Sequence, residues 1–267
     1  MPKSFIKWAG GKAQMLKYIK PLVPKFDQYY EPFVGGGAVF WSICPEDYKK
    51  ALLSDSNGEL MTAYKVIRDD VEDLITLLRK YPNDKDFFLQ MRAIMPNDLD
   101  PIPRAARFIY LNKTCFNGLY RVNKSGGFNS PFGKYKNPKI CDEDTLRSCN
   151  RALQGIELTA TYFQNVLPEV EGAKSFVYLD PPYVPIDKTS FVSYSKKGFG
   201  LEQHEELAKM IEGMDKRGVK VLLSNSDTEW CRERYKGLTI TEVHGRRSIN
   251  SNGKGRGNVG ELLIRNY

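Results

Sequence analysis

Ser175 to Tyr183, "SFVYLDPPY", decides how the chain is read. Phe176, Val177, Tyr178 and Leu179 are apolar or aromatic without a break, the composition of a strand covered on both faces of a sheet. Proline has no N–H for a ladder and keeps the residue before it extended. Asp180-Pro181-Pro182-Tyr183 is therefore expected to be a stiff turn at the strand's carboxyl end. In open α/β sheets that edge is where ligands bind. Taken alone, the tetrapeptide fits two readings. One is an ordinary proline turn, with Asp180 as a local cap and Tyr183 as a surface aromatic. The other is a site in which the Asp180 carboxylate and the Pro181 carbonyl are two fixed acceptors for an amino group, while the Tyr183 ring stacks on a flat base.

An α/β texture continues on both sides. "YYEPFVGGGAVFW" (29–41) passes from a strand through Gly35, Gly36 and Gly37 into a helical stretch, and "ALLSDSN" gives a second strand ending at Asp55. A first helix is expected over about Lys12 to Leu22. Beyond residue 151, "GIELTAT", "VKVLLSN" and "ELLIRNY" read as strands and "LEQHEELAKMIEGMDKRG" as an amphipathic helix. Between these halves, helical patterns lead into "NKTCFNGLYRVNKSGGFNSPFGKYKNP", rich in turn residues, bases and aromatics. The expected fold is α/β: a seven-stranded, mainly parallel sheet with helices on both faces, formed by 1–57 and 152–267. Residues 58–151 would be an inserted helical and β-hairpin domain.

The glycine run rejects two common motifs. A dinucleotide fingerprint starting at Gly35 needs glycine at position 40, which is Phe40; a phosphate loop ending at Gly11-Lys12 needs Ser or Thr at position 13, which is Ala13. A purely structural turn stays open. Asp55, twenty residues after Gly35 at the end of the next strand, is where an acid accepts hydrogen bonds from ribose hydroxyls.

Composition bounds the partner. Hydrophobic residues make up 41% of the 267, enough for a sizeable core, and forty Lys and Arg against thirty-two Asp and Glu give a formal +8, which favours a polyanion. Five cysteines without a C-x-x-C pair, and only His204 and His244, give no metal-ligand spacing, so no metal is expected. No apolar run approaches about 18 residues and the amino terminus has no signal-peptide core; a cytoplasmic protein without a membrane partner, monomeric in solution, is expected.

"KWAGGK", "EPFVGGG", the acid after the second strand, the inserted region and "DPPY" occur in that order. With "YLNKTCFNGLYRVNKSGGFNSPFGKYK" and "RRSINSNG", they resemble the Dam-type DNA adenine-N6 methyltransferases (D12 class, alpha group) along nearly the whole chain. The resemblance implies the S-adenosylmethionine-dependent methyltransferase fold, S-adenosyl-L-methionine as cofactor, double-stranded DNA as partner, and methylation of a flipped adenine in GATC. Another GAT-containing site is the alternative, or a planar amine in RNA or protein, although relatives with those substrates usually carry Asn at the position of Asp180. The implied catalytic residues are Asp180, Pro181, Pro182 and Tyr183. The implied cofactor residues are Trp8, Gly10, Lys12, Glu31, Phe33, Gly35, Asp55, Tyr162 and Asp180; a strand-end aromatic such as Tyr162 is equally a core residue.

For the insertion, Ser125-Gly126-Gly127 is a hairpin turn between "LYRVN" and "FNSPF". By composition alone its aromatics fit a core and its charges a solvated face as well as they fit a DNA surface. The resemblance implies Arg121 on guanine, Leu119 and Pro131 against a thymine methyl, Phe116 as a wedge in the base stack, Asn117 on flanking polar groups, and Asn123 as a further DNA-binding residue. It implies Lys7 at a base edge. By composition, the acid-free run "GRRSINSNGKGRGN", with Arg246 and Arg247, suits phosphates, as does Lys134, and the Ser-rich, aromatic run "VPIDKTSFVSYSKKGFG" reads as a lid; an ordinary surface loop is the alternative for both runs.

Overall fold

A computed structural model describes residues 2–43, 48–185, 199–246 and 258–267, without the side chains at 245, 246, 258 and 259. Its strands are β1 (Gln28–Glu31), β2 (Lys50–Asp55), β3 (Glu157–Ala160), β4 (Ser175–Leu179), β5 (Lys220–Ser226), β6 (Thr239–Arg246) and β7 (Asn258–Arg265). They form one seven-stranded sheet in the order β3-β2-β1-β4-β5-β7-β6. The pairs β2–β1, β1–β4 and β4–β5 are parallel, so the carboxyl ends of these four strands share one edge. β7 lies antiparallel between β5 and β6.

The helices are α1 (Leu16–Ile19), α2 (Ala38–Ser42), α3 (Gly58–Asp69), α4 (Val71–Leu78), α5 (Lys85–Ala93), α6 (Pro101–Thr114), α7 (Glu143–Leu153), α8 (Leu201–Lys216) and α9 (Glu229–Arg234). Two details differ from the sequence expectation. The first helix is broken into α1 flanked by 3-10 turns at Lys12–Gln14 and Lys20–Leu22, because Pro21 supplies no N–H to carry an α-helix onward. The strand β6, absent from the stretches singled out above, is an edge strand that buries Val243 among the side chains described, so its sequence lacks a strong apolar signal.

Two compact units divide the chain: 1–12, 35–44 and 55–160 form the first, and 13–34, 45–54 and 161–267 the second. In the second, every residue of β4 is buried. Val177 and Leu179 join Leu207, Ile211 and Met214 of α8 and Val221 and Leu223 of β5 in one cluster. Phe176 packs against Phe26 and Tyr29, with ring centroids 5.4 and 5.8 Å apart. Each such side chain contributes about 1.5–3 kcal/mol on burial.

The first unit is built around α3 and α6, and Asn57 starts α3 by accepting from the N–H groups of Glu59 and Leu60. Arg107, fully buried in α6, donates through Nε to the Met91 carbonyl at 2.9 Å and places Nη1 3.5 Å from both Glu59 oxygens. Tyr120 donates to the same carboxylate at 3.2 Å. Burial pushes the Glu59 carboxyl up, and the guanidinium groups of Arg107 and Arg104 oppose that shift. Replacing Arg107 by Ala leaves a buried carboxylate short of its main counter-charge, and the expected cost is about 3–5 kcal/mol. Urea unfolding of the variant against the parent measures it; a loss under about 1 kcal/mol would show that the pair behaves like an exposed one.

Candidate active site

Pro32 follows β1 directly, and the chain turns through Val34, whose N–H donates to the Ser54 carbonyl at 3.0 Å. Gly35 and Gly37 then take φ of +48° and +68°, a region that disfavours side chains. Space forbids one too: a Cβ on Gly35 would lie 2.7 Å from Trp8 Cδ1, and one on Gly37 2.6 Å from Tyr64 Oη. The Asp55 carboxylate accepts from Gly35 N at 3.1 Å and from Asn57 N at 2.9 Å. Burial raises the Asp55 pKa and these two N–H bonds oppose the rise. A carboxylate has roughly four acceptor sites, and these two bonds use two of them. The first N–H of the glycine turn is thus taken by a carboxylate, an arrangement hostile to phosphate and suited to a neutral or cationic ligand.

Near it, Trp8 stacks on Tyr120 with centroids 5.8 Å apart and also meets Phe108. Lys12 is buried and donates to the Gly10 carbonyl at 2.7 Å. Gly10 itself is exposed, with no atom within 4 Å of where a Cβ would stand. Trp8, Gly35 and Asp55 are therefore brought together within the first unit.

In the second unit, Asp180 and Tyr183 are half-buried, Pro181 is buried and Pro182 exposed. The backbone leaving the turn is clamped from β5. Val184 N donates to Asn225 Oδ1 at 3.1 Å, and Ser226 Oγ donates to the Val184 carbonyl at 2.5 Å. The Tyr183 hydroxyl donates to Glu261 Oε2 at 2.9 Å. Burial pushes the Tyr183 phenol well above its ordinary range, with the charges of Asp180 and Glu261 adding to it, so the hydroxyl stays a neutral donor. Glu31 is buried and accepts from Tyr29 at 2.7 Å, while Phe33 packs between Phe163 and Phe199. Tyr162 is 65% exposed, a surface aromatic and no part of the core.

The hairpin region is held by two isolated antiparallel bridges, Cys115 with Phe132 and Val122 with Phe128. Of its aromatics, Tyr120 packs on Trp8 and Phe108, Phe128 is buried, and Phe132 packs on Phe88. Phe116, 51% exposed, stands outside. Asn117 beside it and Lys134 adopt positive φ. Asn123 Oδ1 accepts from the N–H groups of Ser125 and Gly127, so it organises the turn. Arg121 donates through Nε to Asn129 Oδ1 at 2.6 Å and through Nη2 to the Asn129 carbonyl at 3.1 Å. Leu119 is half-buried and Pro131 exposed. Lys7 lies with Nζ 4.5 Å over the Tyr135 ring, and its backbone is pinned by Asn112, which accepts from Lys7 N and donates to the Lys7 and Gly118 carbonyls.

Asn112, Asn129, Asn225 and Glu261 are the supporting residues that sequence reading missed. The available signal was a polar side chain at the end of an apolar run, as in "FIYLN" and "VLLSN". The Arg246 side chain, Arg247, and most of the expected lid and basic loop (186–198 and 247–257) lie outside the described residues.

The model of one protein family, the D12 class N6 adenine-specific DNA methyltransferases, matches residues 8–249. The chain belongs to that family. It is 43% identical to a Type II methyltransferase of Methanocaldococcus jannaschii, over 99% of both chains. It is 36% identical to the DNA adenine methylase of Escherichia coli K12, over 98% of this chain and 94% of that one. Among solved structures, an N-methyltransferase from Bradyrhizobium japonicum superimposes with a TM-score of 0.37 at 12% identity, over 96% of this chain and 94% of that one. The methyltransferase therefore acts on adenine N6 of DNA. No helix among its described residues is long and apolar enough to cross a membrane.

His204 supplies a pH test of the framework behind the Asp180–Tyr183 turn. It is buried, edge-on to Phe199 and beside Trp230, and burial lowers its pKa to about 4. The nearby Pro182 carbonyl opposes that shift without good hydrogen-bond geometry to either nitrogen. The unfolded chain binds this proton near pH 6.5 and the folded enzyme only near 4. Stability from this group is full above about 6.5 and falls as pH drops toward 4, by about 3 kcal/mol at most. Unfolding of wild type and His204→Gln from pH 7 to 4 should show the glutamine variant losing less; parallel curves would refute the neutral buried histidine.

Proposed function

We propose that this methyltransferase transfers a methyl group from S-adenosyl-L-methionine to N6 of an adenine flipped out of GATC in double-stranded DNA. The observation that carries this reading is the Asp180-Pro181-Pro182-Tyr183 turn, whose following residue, Val184, is held at its backbone by Asn225 and Ser226. The cofactor fits the residues present: it carries no phosphate, in keeping with the Gly35 N–H already bonded to Asp55. When bound, it supplies a methyl on a sulfonium whose C–S bond yields its electron pair to sulfur as N6 attacks. Asp55 takes its ribose hydroxyls. Trp8, Gly10, Lys12, Glu31, Phe33, Gly35 and Tyr162 line its site, the exposed Tyr162 ring being suited to stacking on adenine.

An exocyclic amine is a poor nucleophile because its lone pair is delocalised into the ring. Asp180 and the Pro181 carbonyl accept its two hydrogens, favour the pyramidal nitrogen and stabilise the charge that develops, and Asp180 receives the proton shed after transfer. Flipping costs a few kcal/mol, which stacking on Tyr183 and these hydrogen bonds offset. Residues 58–151 serve as the target-recognition domain, with 1–57 and 152–267 catalytic. Phe116 is the wedge, Leu119 and Pro131 meet a thymine methyl, and Asn117 and Asn123 flank it. Lys7 reaches a base edge, and Lys134, Arg246 and Arg247 take phosphates. Arg121 reads guanine: Asn129 occupies its Nε side and leaves the end-on edge for the guanine O6 and N7.

Single-turnover methylation and cofactor titration separate the two acids. Asp180→Ala should slow transfer by roughly a hundredfold or more with cofactor binding partly retained. Asp55→Ala should weaken cofactor binding, and a reversal would mean the roles are swapped.

Specificity is tested on duplexes altered one base pair at a time. Arg121→Ala should cost about 1–3 kcal/mol at its guanine and relax discrimination there. Lys134→Ala should weaken binding to all sequences alike. Unchanged discrimination in the Arg121 variant would remove its guanine role, and efficient methylation of GATA, GATG or GATT would remove GATC.

A further inference from the structure

Stacking on a base needs only the aromatic ring of Tyr183, yet its hydroxyl makes a specific contact. It donates to Glu261 Oε2 at 2.9 Å, across 78 residues of sequence. Glu261 sits in β7 directly opposite Ser226 of β5. Ser226 in turn donates through Oγ to the carbonyl of Val184, the residue after Tyr183. One rung of the sheet thus holds the backbone of Val184, the next residue, through Ser226 and the tip of the Tyr183 ring through Glu261. Rotation about the Cα–Cβ and Cβ–Cγ bonds is what would tilt the ring out of plane with a base, and a bond at the far end of the side chain opposes both rotations. A carboxylate acceptor makes that bond about twice as strong as a neutral one.

We propose that Glu261 is a positioning residue for methyl transfer, fixing the plane on which the target adenine stacks. The proposal rests on the reading that Tyr183 stacks on the flipped base. Glu261 acts through Tyr183 and touches neither the amine nor the sulfonium. Its cost is a second negative charge close to Asp180, tolerated because the Tyr183 hydroxyl lies against it. A leucine at 261 would keep the strand and remove the acceptor, while glutamine would keep an acceptor oxygen without the charge.

The experiment compares wild type with Glu261→Leu, Glu261→Gln, Tyr183→Phe, Tyr183→Ala and the Glu261→Leu/Tyr183→Phe double variant. Each is measured for single-turnover methylation of a GATC duplex, for S-adenosylmethionine affinity, and for the fluorescence of 2-aminopurine at the target position. Glu261→Leu and Tyr183→Phe should each slow transfer by roughly tenfold, the effect of losing one charge-assisted bond. Cofactor affinity should not change, and the fluorescence of 2-aminopurine should rise as its stacking loosens. Glutamine should recover most of the rate, and the double variant should be no slower than either single one. Transfer at the wild-type rate in Glu261→Leu, or a further loss on adding that change to Tyr183→Phe, would overturn the proposal. If the leucine variant does not fold, Tyr183→Phe deletes the same bond from its other end, and a wild-type rate there overturns it equally. Tyr183→Ala tells the two failures apart. Normal methylation in that variant defeats the stacking reading itself, whereas a large loss there beside a silent Glu261 defeats only the tether.

Discussion

Pro181 and Pro182 have no N–H to offer, and that lack organises the second unit. Strand β4, buried along its whole length, cannot continue past Leu179. The chain leaves the sheet as a stiff extension at the edge where β1, β2, β4 and β5 all end. A stiff extension still needs anchors, and the neighbouring strands provide them: Asn225 and Ser226 of β5 bind the backbone of Val184, and Glu261 of β7 binds the ring of Tyr183. The proline turn and the antiparallel placement of β7 are therefore one arrangement. Without β7 next to β5, no carboxylate would stand opposite Ser226.

Charge is distributed in the opposite sense to the protein's net value. The chain carries a formal +8, but Glu31 closes β1, Asp55 closes β2 and Asp180 follows β4, each an acid at its own strand's carboxyl end. The hairpin carries the opposite sign, with Arg121, Lys124 and Lys134. Within the first unit, the Glu59 carboxylate binds the hairpin's Tyr120 and the Arg107 guanidinium of α6, so the hairpin is anchored by a buried ion pair that is costly to break.

The sequence made the central strands plain, because runs such as "SFVYL" have no polar interruption, and the glycine turn with Asp55 was placed by spacing alone. The edge strand β6 was not, since Val243 is buried on it while Thr239, Glu242 and His244 face solvent. Pro21 broke the first helix where the apolar pattern ran on. Composition left the hairpin aromatics open between core and surface; packing buries Phe128, half-buries Tyr120 and Phe132 against other rings, and leaves Phe116 exposed. The partners of the supporting amides and of Glu261 were illegible for a different reason. Asn112 meets Lys7 across 105 residues, and nothing local to either position announces the other.

The strand order also bears on how the protein comes to its active form during synthesis. Tyr183 leaves the ribosome well before Glu261, and contacts between residues so distant in sequence form late because a long loop must first close. β7 must enter between β5 and β6, the latter already made, before the tyrosine ring is tethered. A nascent chain that has not yet added β7 to the sheet thus lacks the Glu261 acceptor for the Tyr183 hydroxyl.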